Sequence, residues 1–151
     1  MTDLERILAA VRFEPADRLP VVAQLFGVAA RFEGVGLNDY LTDGGILADC
    51  QVRARRRFGN GAVFALLDAA VEAEALGAEF AFHPDAYPTL SRPLLSALDD
   101  PASIAPPDPA RAGRMPELLR AAGLLRRAVG DEALVAGCVA GPMTLVAQLA
   151  G

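Results

Sequence analysis

The sequence predicts an α/β fold built of parallel strands, each followed by a helix. Three observations carry this. Val63-Phe-Ala-Leu-Leu67 is an apolar run without polar alternation, as suits a strand buried on both faces. An Ala- and Glu-rich segment of high helix propensity follows it, closed by Gly77 at the position just past a helix end. The same order recurs later, where Ala133 to Val139 reads as a buried strand and Gly141-Pro142 opens a helix. Between strand and helix in the first unit stands one acidic residue, Asp68. In parallel α/β folds the carboxyl end of a strand is where ligands and catalytic groups collect. Asp68 is therefore either a ligand-facing carboxylate or the cap of the following helix, accepting from the backbone N–H of Val71.

Composition narrows the function. The chain has 151 residues, enough for one domain with a sizeable core. It is 53% hydrophobic, yet no apolar run approaches the roughly 20 residues of a membrane helix. A net charge of −5 and the absence of Trp argue against a nucleic-acid partner. Cys50 and Cys138 lie far apart, and with one histidine they make no usual zinc site. A reduced, cytoplasmic setting is the default expectation. The acidic N-terminus lacks the order of a signal peptide.

Taken in order, Thr2-Asp-Leu-Glu5 fits a capping box and predicts a helix from Asp3 to about Arg12, with Leu4, Ile7, Leu8 and Val11 on one face. Leu19 to Leu25 reads as the first buried strand, with Pro20 tolerated near its start. Gln24 is the one polar side chain late in that strand, facing a ligand or pairing with backbone at the sheet end. A short helical turn capped by Asn38 precedes a longer helix opened by Asp43 and ending near Phe58. On that helix Leu47, Cys50, Ala54 and Phe58 follow the helical period, which makes Cys50 a core thiol, and Arg53, Arg55, Arg56 and Arg57 complement the dipole of its last turns. After the central unit, Glu79 to His83 alternates like a strand, and the proline-rich stretch from Pro84 to Pro93 suits an irregular hairpin. His83 is the chain's lone imidazole and ranks behind Asp68 as a functional group. Short helical turns are expected at Leu94–Leu98 and from Asp99. Met115 to Val129 reads as a helix with Leu118, Ala122, Leu125 and Val129 on one stripe, ended by Gly130. The backbone N–H groups after Gly141 offer a weak anion site. About three strands in this order leave open edges. The expectation is that residues 1–151 form part of a larger β/α domain, or complete themselves by association.

Four pieces in order carry a resemblance: Asp17-Arg-Leu-Pro20-Val; Asp68 with Glu72-Ala-Glu-Ala-Leu-Gly77-Ala; Tyr87-Pro-Thr-Leu; and Val139-Ala-Gly-Pro142-Met-Thr-Leu145. Together they resemble the N-terminal part of the uroporphyrinogen decarboxylase superfamily, which also holds methyltransferases acting between corrinoid proteins and thiols such as coenzyme M. The resemblance implies the N-terminal part of a (β/α)8 TIM barrel. A whole barrel takes about 250 residues, so this chain would supply about the first half. In the decarboxylase branch an aspartate at the place of Asp68 binds pyrrole N–H groups and stabilises the charge that develops. Two departures weaken that branch. The stretch Gln24 to Arg31 lacks the family's first carboxylate-holding arginine, and Gln148 stands where a tyrosine is expected. The wording from Val71 to Gly77 sits closer to the methyltransferase branch.

The resemblance therefore implies a corrinoid:thiol methyltransferase, with uroporphyrinogen decarboxylation of porphyrin biosynthesis as the alternative. A non-catalytic half-barrel associating through its edges is the third reading. Asp68 is the expected catalytic residue, and Gln24, His83, Gly141 and Gln148 the expected substrate contacts. Zinc and a corrinoid are implied for the complete methyltransferase-like domain, with no metal ligand assigned on this chain. The expected partners are a small-molecule substrate, a corrinoid protein, and either a second copy or the missing half of the barrel.

Overall fold

The computed structural model describes residues 1–95, 102 and 104–151. Helix α1 (Asp3–Val11) begins with the expected capping box: the Thr2 hydroxyl accepts from the Glu5 N–H, and the Glu5 carboxylate accepts from the Thr2 N–H at 2.7 Å. Its buried positions are Ile7 and Ala9, while Leu8 and Val11 face outward, so the expected apolar face is turned from its predicted direction.

Two short helices, α2 (Val28–Phe32) and α3 (Leu37–Thr42), lead to the long α4 (Gly44–Phe58). Gly36 occupies the cap of α3, and Asn38 lies inside the helix. Asp43 caps α4 by accepting from Gly45 and Ile46, and those bonds hold its carboxyl below the usual range. Gly59, at φ 65°, ends the helix in a left-handed turn that glycine takes without strain. Leu47, Cys50 and Ala54 are buried as expected, but Phe58 is half exposed and packs on Phe32 beneath the Arg57 guanidinium.

Strand β1 (Ala62–Ala65) is buried at every position. It pairs in parallel with β4 (Leu134–Gly137), Ala62 opposite Leu134 and Ala65 opposite Gly137. Helix α6 (Met115–Val129) feeds β4, and α4 feeds β1. The two helices lie side by side and cover one face of this pair. The core between them holds Leu47, Val63, Leu67, Ala121 and Leu125. Between the two strands, α5 (Val71–Leu76) ends at Gly77, and the antiparallel hairpin β2 (Glu79–Ala81) and β3 (Thr89–Arg92) forms a second sheet, with a bulge at Glu79/Phe80. Pro84 and Pro88 thus sit in the hairpin loop, as the proline-rich stretch predicts, and Pro93 directly follows β3. Helix α7 (Pro142–Ala150) starts with Pro142 at its first turn and packs on α5. Residues 96–98 of the expected turn at Leu94–Leu98, and Asp99 to Pro101, lie outside the described residues. No helix among the described residues is long and apolar enough to cross a membrane.

The first expected strand fails to form. Leu19 to Leu25 is not a strand, and Leu19 is 86% exposed. The segment runs beside β1, held by Val21 O accepting from Gly61 N at 2.8 Å and by a fork from Asn60. Asn60 Oδ1 accepts from Ala23 N, while its Nδ2 donates to Ala23 O and Ala62 O, all at 2.8 Å. Among the described residues the segment has no strand beyond β1 to pair with, and its Val21 and Val22 side chains stay outward. Strand character depends on such neighbours more than on intrinsic preference. Asn60→Ala should therefore cost about 1–3 kcal/mol by leaving buried backbone groups unpaired. Hydrogen exchange at the Ala23 amide checks it: exchange should accelerate there well before global unfolding.

Candidate functional site

The chain leaves β1 through Leu66-Leu67 and turns sharply at Asp68. That turn is closed by the Asp68 carboxylate itself: Oδ1 accepts from the Ala70 N–H at 2.8 Å. The cap of α5 is Ala70, without a side-chain bond, so Asp68 is not the helix cap. Its carboxylate faces an arginine from far along the chain. Arg114 Nη1 donates to Oδ2 at 2.5 Å and Nη2 donates to Oδ1 at 3.1 Å, a two-pronged pair. The same guanidinium donates from Nε to Glu74 Oε2 at 2.6 Å and from Nη1 to the Leu41 carbonyl at 2.9 Å, and lies 4.8 Å from the Phe82 ring centre. Asp68 is 5% exposed and Arg114 8%. Burial works against the arginine's charge, but the bonds from Asp68 and Glu74 outweigh it and raise its pKa further above its ordinary value.

Beside this pair opens a pocket of about 270 Å³ lined by Phe26, Leu66, Asp68, Tyr87, Pro88 and Gln148. Four segments bring these residues together. Tyr87 comes from the hairpin loop, and its hydroxyl accepts from the Gly27 N–H at 3.2 Å, tying the hairpin to the start of α2. Phe26 stacks edge-on against Phe64 of β1, with ring centres 5.3 Å apart. Its carbonyl accepts from Gln51, whose amide also reaches the Tyr40 hydroxyl and the Phe64 N–H. Gln148 comes from α7, and its Oε1 is buried with no hydrogen-bond partner among the described residues. A larger groove of about 530 Å³ between the outer faces of α4 and α6 shares none of these residues. Of its arginines, Arg53 is paired with Glu33, and Arg120 with Asp43 and Glu117.

Of the residues expected to meet substrate, Asp68 and Gln148 share the pocket. Gln24 is exposed on the extended segment. His83 sits in the hairpin, 2.9 Å from Thr89 Oγ1, and lines a separate depression with Asp39 and Asp85. Gly141 is exposed at the start of α7, next to Ala140, whose N–H donates to Glu72. The sequence reading missed Arg114, and it quoted Glu74 and Tyr87 only within the pieces that carry the resemblance, with no role assigned. One signal for Arg114 was present: it directly precedes a helix, where the dipole disfavours a cation, and so it needs an anion partner.

No group of three or more His, Cys, Asp or Glu side chains among the described residues is placed to hold a metal. Cys50 is buried in the core and Cys138 is partly buried, and burial raises the pKa of both thiols, away from the thiolate a metal or a methyl acceptor needs.

A family model described as uroporphyrinogen decarboxylase (URO-D) matches residues 2–151. Among solved structures, a methyltransferase from Methanosarcina mazei is similar, with a TM-score of 0.86 at 24% sequence identity. The match covers 100% of this chain and 46% of that one, so the chain spans less than half the length of its structural relative. At this identity the likeness speaks for the mixed α/β fold. A comparison with curated protein sequences found no match.

Proposed function

Since the chain belongs to the uroporphyrinogen decarboxylase family, we propose that it forms the N-terminal part of a (β/α)8 barrel whose chemistry is methyl transfer between a corrinoid and a thiol. Asp68 stands just past β1, at the end of the strand where such barrels build their sites. The observation that favours methyl transfer over decarboxylation is the two-pronged bond between Arg114 and Asp68. A decarboxylase would need a carboxylate with net negative charge to favour a cationic pyrrole intermediate. Here both oxygens of that carboxylate are already bonded to a guanidinium that Glu74 shares, so it is held by the protein rather than kept for a cationic intermediate. A porphyrinogen also brings many carboxylates, and among the described residues no cationic side chain lines the pocket.

In this reading Arg114 orients Asp68, and Asp68 presents a fixed acceptor to the bound molecule. Phe26, Leu66 and Pro88 form an apolar wall that limits water. The corrinoid supplies the methyl group when bound. The zinc that activates the thiol in the methyltransferase branch finds no fitting ligand set among the described residues, so no step through it is assigned to this chain. The open edges at β4 and at the segment from Leu19 to Leu25 are where the remaining strands of the barrel would join.

The test is methyl transfer by the chain joined to the rest of its barrel. With zinc, methylcobalamin and 2-mercaptoethanesulfonate, loss of the methylcobalamin absorbance with formation of the methyl thioether is expected. Asp68→Asn should slow it by about 10²-fold or more, the scale of losing an oriented polar group in a site. Turnover of uroporphyrinogen without thiol methylation would reverse the assignment.

A further inference from the structure

We propose that the pocket beside Asp68 takes a neutral primary carboxamide, and that Gln148 is the residue selecting it. Gln148 Oε1 is buried and accepts nothing from the described residues. An unfilled buried acceptor is a standing penalty that a ligand N–H removes. Asp68 offers about four lone-pair positions. Ala70 N and Arg114 Nη2 occupy Oδ1, and Arg114 Nη1 takes one place on Oδ2, so Oδ2 retains an acceptor position. The Tyr87 hydroxyl already accepts from Gly27 N, leaving its own proton to donate. Two acceptors, the Tyr87 proton and the N–H groups of the Gln148 amide thus line one pocket of about 270 Å³. Their complement is a group with two N–H donors and one carbonyl.

Charged alternatives fit less well. A carboxylate would face Gln148 Oε1 and Asp68, and three nitrogen positions of Arg114 are already bonded to Asp68, Glu74 and Leu41. An ammonium would leave the half-exposed Tyr87 hydroxyl to donate to water alone, where an amide carbonyl accepts its proton. The apolar walls of Phe26, Leu66 and Pro88 suit the one or two methylenes of an amide-tipped arm. Corrinoids carry such arms around their rim. Identifying the ligand as a corrinoid arm rests on the methyl-transfer reading, whereas the preference for an amide rests on the pocket alone.

The test uses the whole chain, labelled with ¹⁵N, titrated with propionamide, propionate and N,N-dimethylpropionamide. Propionamide should shift the Gln148 side-chain amide and the Ala69 and Ala70 backbone amides saturably, in roughly the millimolar range for so small a molecule. Propionate and the dimethyl amide should bind at least about tenfold more weakly, the scale of one lost hydrogen bond. Gln148→Met should weaken propionamide by a similar factor. Equal binding of propionate or of the dimethyl amide, no response to propionamide, or unchanged binding by Gln148→Met would overturn the proposal. The three-ligand comparison needs no variant, so it stands even where Gln148→Met fails to fold. Amide selectivity without methyl transfer would remove the catalytic reading alone, and methyl transfer without amide selectivity would remove this one.

Discussion

Arg114→Ala is expected to destabilise the fold by about 3–5 kcal/mol, because it leaves a buried carboxylate without its counter-charge. Asp68 is 5% exposed and cannot recover its hydration by a small movement. The Leu41 carbonyl loses its donor in the same change. Urea unfolding at neutral pH measures the effect. Asp68→Ala should cost less, because Glu74 and the Leu41 carbonyl still hold the guanidinium. The double variant should then lose clearly less than the two single losses together, since neither charge remains to be stranded. Strict additivity would show that the two side chains do not act as a pair. Arg114→Lys should fall between, as an ammonium keeps the charge but cannot match both carboxylate oxygens.

Gly44→Ala should be the next most damaging change, at about 3 kcal/mol. Where α4 begins, its backbone lies directly on α6. A Cβ at Gly44 would stand 2.1 Å from the Glu117 carbonyl oxygen and 3.0 Å from Ala121 N. Both are backbone atoms, so no side-chain rotation relieves the clash and the helices must separate. The Gly44 N–H also donates to Glu117 Oε2 at 2.9 Å, a bond that separation would stretch. Gly45 next door is the control. Its nearest neighbours are the Arg120 and Asp43 side chains, and the arginine's end can swing away. Gly45→Ala should cost clearly less than Gly44→Ala, since the Asp43 cap need give only slightly and alanine is the better helix former. Thermal melts of the two variants would separate steric contact from propensity at adjacent positions.

The helices were legible because their signals are local. Thr2 with Glu5, Asp43 with Gly59, and Gly130 after the Leu125 stripe each mark an end within a few residues of the element they bound. The hairpin was legible for the same reason, in the prolines between Phe82 and Leu94. The segment from Leu19 to Leu25 has the composition of a strand, but its state depends on what lies beside it, and that information is not in its own residues. The site follows the same rule. Asp68 stood out as a lone acid ending an apolar run. Its partner Arg114 was hidden among many arginines, because the pairing arises only when α6 folds back over β1. Gln148 drew attention through the resemblance, and its burial against the Asp68 pocket became visible only once α7 was placed.

The pairing of β1 with β4 joins residues 62–65 to residues 134–137, and this has a consequence for how the chain is made. On the ribosome the apolar stretch from Val63 to Leu67 emerges long before its partner strand. At about 5–20 residues per second, the intervening chain takes roughly 4–15 s to synthesise. During that interval α4 has emerged and can shelter one face of the nascent strand, but α6 has not. The stretch is short, uncharged and rich in residues that favour cross-β stacking. Slowing translation between residues 70 and 130 should therefore increase the protein's demand for chaperones, and speeding it should relieve that demand.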